Sequence, residues 1–208
     1  MLTYNRLKPF KKSVECFLNQ TYPNKELIII NSGTLDYKSE IAYYITSLAE
    51  KSIRIYNTTP KSIGELRNMA LNVGNGEYFM VFDDDDIHHP ERIERQIDVC
   101  LSSNVQGTVL RNFTAITKRV ILKDIKNDCT MLSGLEGTLL FAKGDVRYAD
   151  MNQGEDTSFI RALKTNGYTI AIIDEPYDMY EYNFYGRNTV SKDHFNKMVE
   201  LNTPLRKT

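Results

Sequence analysis

An α/β fold with a largely parallel sheet flanked by helices is what this sequence predicts, and three observations carry the prediction. Short β-branched runs alternate with segments whose apolar residues recur every three or four positions, the pattern of strands joined by crossover helices. The run Glu26-Leu27-Ile28-Ile29-Ile30 is almost wholly apolar, as a strand covered on both faces must be. A second apolar run, Gly76 to Phe82, ends directly in Asp83-Asp84-Asp85-Asp86. A strand therefore delivers four carboxylates to its own C-terminal end, the edge at which open α/β sheets bind ligands.

The elements follow in order. From Leu7, residues Phe10, Val14, Phe17 and Leu18 recur at helical spacing until the turn cluster Thr21-Tyr22-Pro23-Asn24. The strand at 26–30 ends in Asn31-Ser32-Gly33-Thr34. Ser39 to Leu48 reads as a second helix and Ser52 to Tyr56 as a second strand. Ser62-Ile63-Gly64-Glu65 fits a capping box, and Leu66, Met69, Ala70 and Val73 line one face of the helix it opens. Gly74-Asn75-Gly76 stops that helix before the acid-bearing strand. Pro90 suits the first position of a helix with Ile93, Ile97, Cys100 and Leu101 inside. The second half is less regular, with strands expected at 105–117, 118–122, 137–142 and 168–173 and a helix at 155–166.

With 208 residues, 41% hydrophobic and 25% charged, the chain is long enough for one domain with a proper core. Residues 1–103 and 104–208 form its regular and irregular halves, and the whole can be one domain of a longer protein. A net charge of -1 gives no support for a nucleic-acid partner. The three cysteines, Cys16, Cys100 and Cys129, are odd in number and widely spaced, which fits reduced thiols and a cytoplasmic location. No apolar run approaches a membrane span, and no signal-peptide core opens the chain.

Four adjacent carboxylates repel one another, so they stay ionised together only beside solvent, a basic partner or a divalent ion. Hard oxygen donors favour Mg2+ or Mn2+, which are commonly held by one or two carboxylates plus substrate phosphates. An acidic solvated loop and a purely structural Ca2+ site are the alternatives. Two more features bear charge: Arg67 on the third helix, otherwise a surface ion pair, and Glu155-Asp156 after Gly154, which alternatively only complement a helix N-terminus.

Taken together, Thr3-Tyr4-Asn5-Arg6, Gln20-Thr21-Tyr22-Pro23-Asn24 with the strand after it, Gly64-Glu65-Leu66-Arg67-Asn68, Asp83-Asp84-Asp85 and Gly154-Glu155-Asp156 resemble, in order, the motifs of family-two glycosyltransferases. That resemblance implies the GT-A fold, a Rossmann-like α/β/α sandwich. It implies an inverting transfer of a sugar from a nucleotide-sugar, UDP-linked by preference, to a hydroxyl of a glycan, glycolipid or glycoprotein. Donor contacts are implied at Thr3, Tyr4, Arg6, Asn31, Arg67, Asp83 and Asp84. Mn2+ or Mg2+ falls to Asp85 with Asp83, and the acceptor-activating base to Asp156, with Glu155 as runner-up. The chemistry is consistent: a cation beside the departing diphosphate stabilises its growing charge, and a carboxylate on the opposite face takes the acceptor proton.

The departures are specific. Only Met1-Leu2 precede Thr3, so the first strand is short or the sequence is trimmed there. Asn31-Ser32 stand where the family often carries acids that read the base. In Tyr185-Gly186-Arg187-Asn188-Thr189 the family's histidine is missing, which leaves His194 as a possible substitute ligand, while His88 and His89 read as cap and surface residues. Two other readings remain: a nucleotidyltransferase, which would show a Gly-rich basic phosphate loop near its start, and an inactive sugar- or nucleotide-binding module, for which the altered Asn31 and missing histidine speak. Release of UDP from a panel of nucleotide-sugars separates them.

Overall fold

The computed structural model describes residues 1–117, 121–126, 134–174 and 177–184. Its first sheet is parallel throughout: β1 (Leu2–Thr3), β2 (Leu27–Asn31) and β3 (Ile53–Asn57) lie side by side in that order. Alternation along β2 decides what covers each face. Leu27 and Ile29 pack with Phe10, Val14 and Phe17 of α1 (Leu7–Leu18) and with Tyr37, Ile41 and Ile45 of α2 (Leu35–Leu48). Ile28 and Ile30 pack instead against Leu66, Met69, Ala70 and Val73 of α3 (Ile63–Val73). The sheet is the middle layer of an α/β/α sandwich.

The second sheet is mixed. It contains β4 (Tyr78–Met80), β6 (Gly107–Leu110), β9 (Leu140–Ala142) and β10 (Ile170–Ile173) in the order β10-β6-β9-β4, with only the β10-β6 pair parallel. α4 (Arg92–Ser102) covers one face through Ile93, Ile97 and Cys100, and α5 (Glu155–Thr165) covers the other through Phe159, Ile160 and Leu163. A third sheet joins β5 (Ile87–His88), β7 (Asn112–Thr117), β8 (Ile121–Lys126) and β11 (Tyr180–Phe184) in the order β5-β11-β7-β8. The α/β class stands, with parallel pairing concentrated in the first half.

Several boundaries move for identifiable reasons. α2 begins at Leu35, four residues before the expected start, because the Thr34 hydroxyl accepts the Tyr37 N–H and caps the helix there. The capping box of Ser62 and Glu65 forms as expected. The expected strand at 137–142 is a 3-10 turn over Glu136–Thr138 followed by β9. α4 starts at Arg92, two residues beyond Pro90. The expected single strand at 105–117 breaks between Leu110 and Asn112 into β6 and β7. β1 is indeed short, and a groove of about 600 Å3 lined by Leu27, Ile28, Tyr78, Phe79 and Met80 opens beside it. Among the described residues no helix is long and apolar enough to cross a membrane.

Candidate active site

β4 ends at Met80, and Val81 and Phe82 continue, buried, into the acids. The acidic run is not a solvated loop: Asp84 is 0% exposed, Asp85 8% and Asp86 2%. Each buried carboxylate has a partner. Asp86 accepts from the Tyr180 hydroxyl and, at 2.9 Å, from the Asn183 N–H, tying β11 to the end of β4. Asp84 and Asp85 share the guanidinium of Arg6, whose two terminal nitrogens each take one carboxylate. The Ser13 hydroxyl of α1 donates to the Asp83 carbonyl at 2.7 Å. Asp83, the most open of the four, faces Arg67 at 3.6 Å.

Burial dominates the electrostatics. It lifts Asp84 to about 7 and Asp85 to about 6, against the opposing pull of Arg6. Asp86 is pushed well above the usual carboxylate range by burial and by its neighbours Asp85 and Asp83.

A second acidic group converges on the first through Arg67. Its side chain is only 12% exposed, with Nη2 3.6 Å from Asp83 and 3.8 Å from Glu155, and Nε 3.4 Å from Asp156. Burial alone would lower the guanidinium's pKa, but Asp156, Asp83 and Glu155 hold it firmly charged. Glu155 is lifted to about 7 by burial and by the charge of Asp156, and burial raises Asp156 as well. A surface ion pair does not describe this residue.

The close approach of α3 to the segment before α5 brings these groups together. Gly64 has no side chain where a Cβ would lie 1.8 Å from the Ala149 carbonyl oxygen. The Gly64 N–H donates to the Met151 carbonyl at 3.2 Å. Asn68 clamps the Tyr148 backbone from both sides, donating to its carbonyl at 2.9 Å and accepting its N–H at 2.8 Å. The Tyr148 ring stacks on Phe159 with centroids 3.8 Å apart and receives the Arg67 guanidinium 5.6 Å from its centre. Gly64, Arg67 and Asn68 thus act as one docking unit.

The remaining expected donor contacts divide. Tyr4 is 52% exposed and free to meet a ligand. Thr3 is 2% exposed, and its hydroxyl pairs with that of Tyr37. Asn31 is fully buried, its amide donates to Asn57 Oδ1 at 2.8 Å, and its Oδ1 accepts the Gly33 N–H at 2.9 Å. One N–H and one lone pair of the amide are thus used to shape the loop after β2. His88 is corrected, from cap or surface residue to core: it is 3% exposed, lies on Phe82 with centroids 3.6 Å apart, and accepts from Arg92 through Nδ1. His89 precedes α4 and accepts the Glu91 N–H through Nδ1 at 3.2 Å, without capping the helix. Tyr185, Arg187 and His194 lie outside the described residues.

Two features escaped sequence reasoning. Arg92 is completely buried under the acids and bonds Gln96, His88 and the Val81 carbonyl. Tyr180 donates to Asp86 and lies 5.1 Å from the Arg92 guanidinium. The spacing Arg92-x-x-x-Gln96 is an ordinary helical pattern, and nothing local marks it as a buried support.

Among the described residues, no three His, Cys, Asp or Glu side chains converge to hold an ion by themselves. The donor set still fits a divalent cation. Carboxylates outnumber the guanidiniums paired with them, and the buried Oδ2 of Asp84 has no hydrogen-bond partner. Asp85 and Asp83 would hold Mg2+ or Mn2+ in the incomplete, oxygen-only fashion that leaves places for phosphate.

Comparison with known proteins bears directly on this arrangement. The family model described as glycosyl transferase family 2 matches residues 1–145. The chain belongs to that family. An uncharacterized glycosyltransferase of Rickettsia conorii is 31% identical over 107 residues, covering 51% of this chain and 17% of the relative. The glycosyltransferase GlyG of Streptococcus pneumoniae is 33% identical over 92 residues, covering 44% of this chain and 30% of its own. Against such relatives the chain spans a third or less of the length. Among solved structures, residues 1–349 of S. aureus TarS superpose with a TM-score of 0.71 at 17% identity over 96% of this chain and 62% of that one. A mannosyltransferase of Pyrobaculum calidifontis, in complex with GDP-Man and Mn2+, gives 0.68 at 14% identity over 90% of this chain and 56% of its own. These likenesses establish the GT-A fold.

Proposed function

We propose that this chain is the catalytic domain of an inverting, metal-dependent glycosyltransferase that moves a sugar from a nucleotide-sugar to an acceptor hydroxyl. One observation carries the reading: Arg67 gathers Asp83 of the strand-end acids and the pair Glu155-Asp156 into one cluster. Residues 1–103 supply the donor side, and residues 104–208 the acceptor side. The TarS complexes with UDP and UDP-GlcNAc support a UDP-linked donor, and the GDP-Man and Mn2+ complex supports the cation.

Each residue then has a task. A divalent cation held by Asp85 with Asp83 supplies Lewis-acid stabilisation of the departing diphosphate. Asp83 and Tyr4 offer contacts to the nucleoside. Asp156 is the general base: its Oδ1 is buried against Arg67 Nε, while its side chain as a whole is 23% exposed against 9% for Glu155. It takes the hydroxyl proton as that oxygen attacks the anomeric carbon, and the diphosphate leaves from the opposite face. Arg67 fixes the distance between the two acidic groups. With Asp83 and Asp85 assigned to the cation, Asp84 held by Arg6, Asp86 held by Tyr180 and Glu155 the less exposed of the pair at Arg67, one carboxylate serves as base and none as nucleophile for double displacement, so the product is inverted.

Calorimetric titration of UDP with and without Mn2+ tests the reading. Binding should be strong only with the cation and should weaken on Asp85→Asn. Equal affinity in EDTA contradicts the metal role, and no binding under either condition contradicts the donor assignment.

A further inference from the structure

Arg6 already occupies the carboxylate to which the proposed function assigns the cation. One terminal nitrogen pairs with Asp85 Oδ2, and the other lies 2.5 Å from Asp84 Oδ1. Local helix electrostatics do not call for a cation here. Arg6 stands at the N-terminal cap of α1 and makes no side-chain cap hydrogen bond. A positive charge at that end opposes the helix dipole, so the two aspartates must supply what holds it.

The loop that aims Arg6 is itself fixed. Asn5 takes a left-handed φ of 52°, and its Oδ1 accepts the Thr34 N–H at 3.0 Å and the Thr34 hydroxyl at 3.2 Å. The two ends of the ion pair differ in access. Asp84 is 0% exposed, whereas the Arg6 side chain is 36% exposed and has a path toward solvent.

We propose that Arg6 is a resident counter-cation which Asp85 gives up when the donor and its divalent ion bind, with Asp84 keeping hold of the guanidinium's other arm. This rests on the reading of Asp85 as a metal carboxylate. An arginine suits such an exchange because one terminal nitrogen can stay on Asp84 while the other passes from a carboxylate oxygen to a phosphate oxygen, an acceptor it matches equally well. Without nucleotide, a metal ion must displace Arg6 from Asp85 with only water to accept the released N–H groups. With nucleotide, the diphosphate accepts them. Metal and nucleotide therefore bind with positive coupling, and the coupling is reciprocal.

The test is Mn2+ binding by the full chain, followed through the EPR signal of free Mn2+, with and without UDP. The wild type should bind Mn2+ weakly alone and more tightly with UDP. Arg6→Gln should tighten nucleotide-free Mn2+ binding by about ten-fold or more, since one charge-assisted competitor is gone, and should shrink the gain that UDP brings. Arg6→Lys keeps a charge but loses the fork; it should fall between the two and decides the matter if the glutamine variant fails to fold. Nucleotide-free affinities unchanged in both variants, with UDP still enhancing Mn2+ binding, overturn the counter-cation role and leave the metal reading intact. No Mn2+ binding by any variant, even with UDP, overturns both.

Discussion

Replacing Gly64 by alanine should damage the site from a distance, and the cost can be worked out from one contact. Alanine is better than glycine inside a helix by about 1 kcal/mol, so local propensity favours the change. The added Cβ would stand 1.8 Å from the Ala149 carbonyl oxygen, whereas ordinary contact begins near 3.4 Å. α3 and the 149–156 segment must separate by about 1.5 Å to relieve this. Overpacking of this kind costs roughly 1–3 kcal/mol, a fall in Tm of roughly 2–12 °C for a chain of this size. The separation also pulls Arg67 away from Asp156, and misplacement of catalytic groups by about 1 Å costs on the order of a hundred-fold in rate. UDP binding with Mn2+, measured by calorimetry, should change far less than turnover, measured by UDP release. Gly154→Ala is the comparison: φ is 72° there and a Cβ meets nothing within 4 Å, so it should cost about 1–2 kcal/mol of backbone strain without that separation. Wild-type Tm and turnover in Gly64→Ala would refute the docking argument.

Asp156→Asn should leave UDP binding nearly intact and lower turnover by about two to four orders of magnitude; if Glu155→Gln abolishes transfer while Asp156→Asn does not, the base is Glu155. Asp86→Ala strands the Tyr180 hydroxyl and the Asn183 N–H, and should destabilise by roughly 1–3 kcal/mol for each, read as a lower midpoint in urea, while an unchanged midpoint would show that β11 is not held through Asp86. The metal-free protein should lose stability as pH rises from 5 to 8. Asp84 and Glu155 titrate at about 7 and Asp85 at about 6 when folded, above their unfolded values. The folded state therefore binds more protons than the unfolded one across that window, and each unit of upward shift is about 1.4 kcal/mol. Thermal denaturation without metal checks this, and a Tm that climbs toward pH 8 contradicts it.

What the sequence makes legible follows from how local each signal is. The strand before the acids, the Ser62 capping box and the helix opening at Glu155 are all contiguous patterns, and all three take shape, although the strand ends at Met80 rather than Phe82. The Gly64, Arg67 and Asn68 motif is visible, but the reason for its glycine is not, because the crowding partner is Ala149. Arg6 reads as a donor contact in a loop; only folding brings it to Asp84 and Asp85. The burial of Asn31 and its bonds to Asn57 and the Gly33 N–H are set by partners that no local pattern names. His88 looks like a surface residue until β5 is seen pairing with β11 above Arg92.

The most direct test of the account is UDP release by the purified chain from a panel of UDP-sugars, with Mn2+ and with EDTA. The account predicts release from at least one sugar with Mn2+, its loss in EDTA, and its loss in Asp85→Asn. Release that persists in EDTA, or that survives in Asp85→Asn, would contradict it.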